Sequence, residues 1–455
     1  MNTFTSHPDL GGTPEGPGTQ LSALPEENCR VSEPRPVAVI VLAAGEGTRM
    51  KSRLPKVLHG LCGRSMLGHM LATAGELGPR RLIVVAGHGR EQVAAETMRC
   101  APAADVVVQD RQCGTGHAVR MVTEALGVMP GTVLVTYGDM PLLRSGTLAA
   151  LTREHTAAGN AVTVLTARAG DPSGYGRIVR DERGDLAEIV EEADATPEQR
   201  AIEEINSGCY AFDGALLAGA VKRIAAGNAQ GQEYLTDVVA IARGDGHPVG
   251  TVLAADPAEI QGVNDRVQLA AARRAYNSRL LEEWMRAGVT IVDPSATWID
   301  VDVTLGQDAE VRPGTYLEGH TVIGPGARVG PGCVLRDTTV APDATVQFAV
   351  CESAEIGSGA SVGPFAFLRP GTRVGAGAHV GADVELKNED TSVGAATMVA
   401  NSGAAAGHHS AAGDSAAAAA RARAAAPGRP AAAPPAEHDE PDHDEPENDE
   451  GVQGT

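Results

Sequence analysis

Large aliphatic residues recur at every sixth position through much of the C-terminal half of the chain. One register consists of Ile299, Leu305, Val311, Leu317, Ile323, Val329 and Leu335. After a slip between residues 340 and 349, a second register consists of Val350, Ile356, Val362, Leu368, Val374, Val380 and Leu386. Glycine directly follows many of these residues, as a short strand that ends in a tight turn requires. The pattern predicts a parallel β-helix, in which stacked coils bury a core that no single coil could bury alone.

The segment before this repeat has a different pattern. From Val37 to about Asp256, short apolar runs rich in β-branched residues alternate with amphipathic segments of helical length. The runs cover residues 37–42, 82–86, 106–108, 133–136 and 162–166. Such alternation indicates βαβ units and a mostly parallel, Rossmann-like sheet with helices on both faces. Between the two patterns, residues 264–287 predict one continuous helix, because they contain no helix breaker.

These patterns divide the chain into five parts. We expect a disordered arm over residues 1–36, an α/β domain over 37–262 and a linker helix over 263–290. A β-helix of about five coils should cover residues 291–400, and a disordered tail residues 401–455. The arm is rich in Pro, Gly, Glu, Ser and Thr, while the tail is rich in Ala and then in acidic residues. Such segments bury too little apolar surface to offset the entropy lost on ordering.

Charge and composition exclude several classes of function. The formal net charge of −21 repels a phosphate backbone, so no nucleic-acid or anionic-membrane partner is expected. The seven cysteines include no C-x-x-C pair, which argues against a zinc site and a disulfide framework and fits reduced thiols. The sequence shows neither a secretory signal nor an apolar run long enough to span a membrane. A cytoplasmic location is therefore expected.

A glycine-rich loop follows the first predicted strand. Residues 42–50 read L-A-A-G-E-G-T-R-M, and L-P-K follows at residues 54–56. Glycines after a strand let backbone N–H groups approach phosphate oxygens closely, and Arg49 and Lys56 add positive charge nearby. The loop matches neither the P-loop pattern nor the dinucleotide fingerprint. By itself it is either a phosphate site or a tight connection, and the two cations favour the phosphate site.

The loop and the L-P-K sequence resemble the sugar-1-phosphate nucleotidyltransferases. Together with a left-handed hexapeptide β-helix, they resemble the bifunctional bacterial family of N-acetylglucosamine-1-phosphate uridylyltransferase/glucosamine-1-phosphate acetyltransferase. Further matching segments are residues 109–118, 137–139, 174–178, 189–191, 204–208 and 262–264, and the resemblance covers roughly residues 37–399. It implies uridylyl transfer from UTP to N-acetylglucosamine-1-phosphate, which yields UDP-N-acetylglucosamine for peptidoglycan precursors. It also implies a homotrimer assembled through the β-helix.

The resemblance also assigns roles to residues of the first domain. It implies catalytic roles for Arg49, Lys56 and Asp139, with Arg49 and Lys56 on the phosphates. Asp139 and Asn264 would ligate Mg²⁺, which prefers a few protein oxygens completed by phosphate and water. The implied substrate-binding residues are Leu42, Ala43, Ala44, Gly45, Lys56, Gln109, Gln112, Gly114, Thr115, Tyr137, Gly138, Gly176, Glu191, Asn206 and Asn264. Of these, the residues that would bind uridine are Gln109, Gln112, Gly114 and Thr115. The residues that would hold the sugar are Gly176, Glu191 and Asn206.

Simpler interpretations compete for three of these positions. Asp139 comes at a strand end, where aspartate often only caps a turn. Asn264 is also a candidate helix N-cap. Cys113, within the uridine motif, is interpreted as a small packing residue rather than a nucleophile.

The second domain follows the family only in part. Arg369 and Lys387 match sugar-phosphate contacts of the acetyltransferase site. The family then places a catalytic histidine, a general base, about a dozen residues beyond that lysine. Here that position is Val399, and the Ala-rich segment follows. We therefore expect acetyl transfer from acetyl-CoA to be lost or impaired.

Two other functions stay open at this level. The first is another nucleotidyltransferase that makes an ADP- or GDP-sugar, since one sequence does not fix the base. The second is a catalytically silent, trimeric scaffold. The presence of Lys56, Asp139 and Asn264 argues against the scaffold, because it has no need for a cation and two oxygen ligands beside a glycine loop.

Overall fold

The computed structural model of the chain describes residues 34–386 and the backbone of residues 398–399. All of them belong to a compact unit that spans Met1–Ala400. The predictions of a disordered tail over 401–455, and of a disordered arm up to residue 33, lie outside the described residues.

The first domain is built on a mixed sheet. Its strands are β1 (Ala38–Ala43), β2 (Gly60–Leu61), β3 (Arg64–Ser65), β4 (Arg81–Ala86), β5 (Asp105–Val108), β6 (Thr132–Tyr137), β7 (Val162–Arg168), β8 (Arg177–Arg180), β9 (Leu186–Val190), β10 (Glu204–Asp213) and β11 (Val249–Leu253). The sheet order is β11-β7-β10-β6-β1-β4-β5, with the β8–β9 hairpin joined to β10 and a separate β2–β3 ribbon.

Helices cover both faces of this sheet. They are α1 (Met66–Glu76), α2 (Arg90–Cys100), α3 (Thr115–Leu126), α4 (Ser145–Ala158), α5 (Pro197–Arg200), α6 (Gly214–Ala220), α7 (Asp237–Gly244) and the linker helix α8 (Arg266–Arg286). Short 3-10 turns cover Thr48–Met50, Lys56–Leu58, Pro257–Ile260 and Pro294–Ala296. Every residue of β1 is buried, because alternate side chains enter the two separate apolar clusters above and below the sheet.

The five apolar runs predicted from the sequence are confirmed as β1, β4, β5, β6 and β7, to within two residues at each end. The sequence pattern did not reveal that β10 runs antiparallel to both β6 and β7. The parallel strands β1, β5 and β6 end at the same edge of the sheet. Loops that follow such carboxyl ends are where open α/β sheets bind ligands.

The second domain is a parallel β-helix with three faces. The first face contains Thr290–Ile291, Glu310–Val311, Arg328–Val329, Thr345–Val346, Ser361–Val362, His379–Val380 and Met398–Val399. The second contains Thr297–Ile299, Thr315–Glu318, Val334–Arg336, Ala349–Glu352, Ala366–Leu368 and Glu385–Leu386. The third contains Thr304–Leu305, Val322–Ile323, Thr339–Val340, Glu355–Ile356 and Arg373–Val374. The predicted β-helix is thereby confirmed.

The predicted inward residues are buried with one exception. Val350 is 40% exposed, whereas its neighbour Cys351 is fully buried in the core of the β-helix. Leu335 pairs with Cys351 across adjacent coils, so this coil is two residues shorter than the one in which Leu317 pairs with Leu335. The next inward residue, Ile356, comes five residues after Cys351 rather than six. Counting back by six from Ile356 therefore gives Val350, which is exposed, instead of Cys351.

The two domains share one hydrophobic cluster. Met50, Leu61 and Cys62 of the α/β domain belong to the same cluster as the aliphatic stack inside the β-helix. Polar contacts reinforce the junction: Arg64 forms an ion pair with Asp302, and the Val301 N–H donates to the Cys62 carbonyl at 3.1 Å. Within residues 34–386, no helix combines the length and apolarity needed to cross a membrane.

Candidate active site

A cleft of about 480 Å³ lies at the carboxyl edge of the sheet. It is lined by most of the residues assigned to the first domain: Leu42, Ala43, Ala44, Gly45, Arg49, Lys56, Gln109, Gln112, Gly114, Thr115, Tyr137, Asp139, Gly176, Glu191, Asn206 and Asn264. Gly138 lies behind the wall, where its N–H donates to the Leu42 carbonyl at 2.9 Å. The structure thus brings together segments that are far apart in sequence.

The glycine-rich loop begins where β1 ends and folds against Lys56. Gly47 has a φ of 63°, in the left-handed region that favours glycine. A Cβ at Gly47 would lie 2.5 Å from the Cβ of Lys56. A side chain at residue 47 would therefore displace this lysine, which explains the glycine by close packing as well as by backbone conformation.

Lys56, Asp139 and Asn264 meet in the cleft. The Lys56 ammonium forms an ion pair with the Asp139 carboxylate and donates to Asn264 Oδ1 at 3.0 Å. The side chains of Lys56 and Asp139 are 15% and 14% exposed, so the pair is largely shielded from water. Asp139 follows β6, and the Val263 N–H donates to its backbone carbonyl at 2.9 Å, which holds the Asn264 segment against it.

The linker helix settles one of the simpler interpretations. Asp265, not Asn264, is the N-cap of α8, and its side chain accepts from the Gln268 N–H at 2.8 Å. The Asn264 side chain is therefore turned toward Lys56 and the cleft. Its amide oxygen and the Asp139 carboxylate converge on one cation, the lysine ammonium.

Two glutamines define one end of the cleft. Gln112 donates to the Ala44 carbonyl at 2.7 Å and ties its loop to the glycine-rich loop. Gln109 donates to the Gly114 carbonyl at 3.0 Å. Gly114 has a φ of 112°, and a Cβ there would collide with the backbone of Glu233. The Thr115 hydroxyl accepts from the Leu235 N–H at 3.0 Å, so residues 109–115 are held from both sides.

Gly176, Glu191 and Asn206 lie together at another part of the cleft. The Asn206 N–H donates to the Gly176 carbonyl at 2.8 Å, and a Cβ at Gly176 would lie 3.3 Å from Glu191 Oε2. The Asn206 amide donates to the Tyr210 hydroxyl at 2.7 Å and accepts from the Gly208 N–H at 3.0 Å. Burial raises the pKa of Glu191, although a hydrogen bond from Thr236 opposes this rise.

Tyr137 lines the wall between these two groups. Burial and the carboxylates of Glu191 and Asp139 raise its pKa well above the ordinary value near 10. The phenol therefore keeps its proton near neutral pH and can donate a hydrogen bond, but it cannot act as a base there. Cys113 is half-buried and is not among the residues that line the cleft, which favours its interpretation as a packing residue.

Several cleft residues were not singled out from the sequence. Tyr175, Ser207, Gly208, Gln232 and Gly262 also line the cleft. Gly208 has a φ of 82°, and a Cβ there would collide with the Tyr137 ring. Most of these residues belong to the motifs at 174–178, 204–208 and 262–264, so the motifs themselves were the available signal. Gln232 follows a loop with no motif and carried no such signal.

The two residues assigned to the second domain lie elsewhere. Arg369 is on the β-helix, where it forms an ion pair with Glu385 and its guanidinium carbon lies 5.1 Å from the centroid of the Phe367 ring. Lys387 lies outside the described residues. The acetyltransferase assignment of these two residues therefore stays a prediction.

Comparisons with protein families agree with both domains. Residues 39–249 match the MobA-like NTP transferase domain. Residues 302–337 match the bacterial transferase hexapeptide family, described as six repeats. The first match contains the glycine-rich loop, Lys56 and Asp139, and the second lies within the β-helix.

Relatives that match 80% of the chain carry the same name. The chain is 58% identical over 368 residues to the bifunctional protein GlmU of Thermobifida fusca, a match that covers 80% of this chain and 76% of that protein. It is 55% identical over 367 residues to GlmU of Streptomyces avermitilis, with coverage of 80% and 76%. For GlmU of Corynebacterium aurimucosum the identity is 48% over 368 residues, with coverage of 80% and 75%. The chain therefore belongs to the bifunctional GlmU family, whose nucleotidyltransferase domain transfers a uridylyl group from UTP to N-acetylglucosamine-1-phosphate to form UDP-N-acetylglucosamine.

Proposed function

We propose that the cleft binds UTP along the glycine-rich loop and N-acetylglucosamine-1-phosphate at the Gly176 end, so that the reacting phosphates meet at Lys56. The observation that carries this assignment is the convergence of Lys56, Asp139 and Asn264 within the cleft. One end offers glutamine amides and backbone groups that match the carbonyl and N–H edge of uracil. The other offers an amide and a carboxylate that match sugar hydroxyls.

The reaction needs no covalent enzyme intermediate. A phosphate oxygen of the sugar-1-phosphate attacks the α-phosphorus of UTP, an O–P bond forms, and the bond to the departing pyrophosphate breaks. Arg49 and Lys56 neutralise charge that accumulates on the phosphate oxygens in the transition state. The glycine-rich loop contributes by alignment, since its backbone can approach the phosphates closely.

The donor set at the centre suits Mg²⁺. Asp139 and Asn264 supply two hard oxygens that already converge on a single cation. Within residues 34–386 no group of three or more metal-ligating side chains is present. Two protein oxygens with phosphate and water ligands are what Mg²⁺ usually takes in phosphoryl-transfer sites. When bound, the metal would neutralise phosphate charge, while Asp139 and Asn264 would hold it beside Lys56.

Asp139→Asn tests the assignment, because it keeps the shape of the side chain and removes its charge. We expect uridylyl transfer with UTP, N-acetylglucosamine-1-phosphate and Mg²⁺ to fall by at least about a hundredfold, as for the loss of one transition-state contact. Pyrophosphate release measures the rate, and circular dichroism checks the fold. Near-normal pyrophosphate release would overturn the role of Asp139. A panel of ATP, GTP and dTTP in the same assay distinguishes uridylyl transfer from ADP- or GDP-sugar synthesis.

We infer that the second activity of the family is absent or weak. The support is the sequence: Val399 stands at the position of the histidine base, and no hexapeptide register continues after it. Aliphatic side chains cannot remove a proton from the attacking amine. The test is incubation with acetyl-CoA and glucosamine-1-phosphate, in which robust release of free thiol would contradict this inference.

We also propose a cytoplasmic homotrimer. The second face of the β-helix presents an outward ladder of Trp298, Tyr316, Val334, Val350 and Phe367. Tyr316 and Val350 are 44% and 40% exposed, a pattern typical of surfaces that bury against another subunit. Light scattering should give three times the chain mass, and Tyr316→Glu should shift it to one. A monomeric wild type would refute this assembly.

The proposed cytoplasmic location rests on the cysteines. The six described cysteines are unpaired, which fits a reducing compartment.

A further inference from the structure

Arg177 is a fully buried arginine beside the cleft but not part of its lining. It begins β8 and lies opposite Val190 of β9 and Ile205 of β10. The residue is 1% exposed. A buried guanidinium is costly unless anions and carbonyls satisfy it, so its contacts indicate what it holds in place.

Those contacts connect three segments around the Gly176 end of the cleft. The guanidinium donates to the Tyr175 carbonyl in the turn at residues 174–176. It also donates twice to the Arg200 carbonyl at the end of α5, at 3.3 Å each. Its Nη2 lies 2.7 Å from Glu192 Oε2, an oxygen atom that is buried although the Glu192 side chain as a whole is partly exposed.

Two of these segments carry the residues assigned to the sugar. Glu191 immediately precedes Glu192, and Tyr175 immediately precedes Gly176. The planar guanidinium, with donors in a fixed fork, therefore sets the separation between the carboxylate on one wall and the backbone of the other. A lysine could satisfy the charge of Glu192 but could not hold all three segments in the same geometry.

We propose that Arg177 is a positioning residue for the sugar end of the cleft. This inference rests on the proposed function, because it takes Gly176 and Glu191 as sugar contacts. Among the described residues, Arg177 has no hydrogen bond or ion pair with the uridine end at residues 109–115. Replacing Arg177 should therefore change KM for the sugar phosphate much more than KM for UTP. A residue needed only for folding would instead lower the amount of active protein and leave both KM values unchanged.

The experiment compares Arg177→Met and Arg177→Lys with Arg180→Met in the full chain. Arg180 lies on the same strand but pairs outward with Glu204 at 2.6 Å, which makes it the matched control. For Arg177→Met we expect KM for N-acetylglucosamine-1-phosphate to rise about tenfold and KM for UTP to change less than twofold. Arg177→Lys should give an intermediate rise, and Arg180→Met should leave both KM values within twofold. Equal changes in both KM values, or a change in thermal stability alone, would overturn the inference.

If Arg177→Met does not fold, the variant Glu192→Gln tests the same positioning role of Arg177. The Glu192 side chain is 39% exposed, so the amide should be tolerated, and it removes the charge that anchors the guanidinium. We expect KM for the sugar phosphate to rise about threefold, and an unchanged value in folded protein would reject the proposal. Wild-type turnover of UTP with N-acetylglucosamine-1-phosphate tests the proposed function separately. Its absence would reject that function, whereas the KM comparison between variants addresses Arg177.

Discussion

Replacing Lys56 with methionine should lower the rate of uridylyl transfer and, separately, raise the affinity of the substrate-free protein for a divalent metal. Methionine keeps the apolar stem that packs against Gly47 but removes the ammonium that contacts Asp139 and Asn264. Loss of a preorganised contact to transition-state charge costs about 10²- to 10³-fold in rate, or about 3–4 kcal/mol. We therefore expect kcat/KM for pyrophosphate release to fall by that factor at saturating Mg²⁺.

The same substitution should strengthen metal binding to the substrate-free protein. The proposed metal would compete with the lysine ammonium for the Asp139 carboxylate and the Asn264 amide oxygen. The two side chains are 15% and 14% exposed, so we place the free energy of this ion pair at the upper end of the range for surface pairs. Taking about 1 kcal/mol, removal of the competitor corresponds to about fivefold tighter binding.

Titration with Mn²⁺, followed by electron paramagnetic resonance, measures this affinity directly. Lys222→Met is a suitable control because Lys222 is exposed and does not line the cleft. Affinity equal to or weaker than that of wild type would show that the ammonium does not occupy the metal position. A loss of kcat/KM smaller than tenfold would independently reject the contact of Lys56 with the phosphates.

Three further predictions concern individual residues. Gly47→Ala should lower the melting temperature by several degrees, because residue 47 has a φ of 63° and its Cβ would lie 2.5 Å from that of Lys56. Gly45→Ala should not lower it, because a Cβ at Gly45 meets no atom within 4 Å, and calorimetry of both variants decides. Glu191→Gln should raise the melting temperature at pH 8, because burial raises the pKa of Glu191 and the folded state therefore disfavours its charged form. That gain should shrink as the pH falls through the raised pKa towards the ordinary value of 4.5, and a gain independent of pH would contradict the reasoning. Cys351→Ser should destabilise the protein by about 1–3 kcal/mol in urea unfolding, because it places a hydroxyl in the apolar core, and an unchanged unfolding midpoint would argue against burial at this position.

Much of the fold followed from periodicity alone. The six-residue repeat predicted the β-helix, and alternating apolar runs predicted the central strands, because both patterns directly reflect which side chains face a core. Periodicity failed at Val350 because the inward residues Cys351 and Ile356 are five residues apart rather than six, which shifts the inward position by one residue. It also gave no strand direction, so the antiparallel β10 was visible only in the structure.

The contacts within the cleft could not be predicted from the periodicity of the sequence. The resemblance singled out Lys56, Asp139 and Asn264, but only the fold shows that the lysine bonds to both other residues. Arg177 lies within the motif at residues 174–178, yet nothing in the neighbouring sequence indicates a buried guanidinium. The contacts of such a residue come from strand ends and turns far apart in sequence, which local propensity does not encode.

The shared hydrophobic cluster makes the β-helix part of the folding unit of the nucleotidyltransferase. Met50 ends the 3-10 turn at the end of the glycine-rich loop, and it is 1% exposed within the cluster that continues into the coils. Arg266 at the start of α8 donates to the Met50 carbonyl at 3.2 Å. Deleting the coils would remove most of this cluster and leave Met50 with fewer apolar partners around it. Thermal unfolding should therefore be one cooperative transition across both domains, and removal of the coils should lower the stability of the domain that contains the cleft.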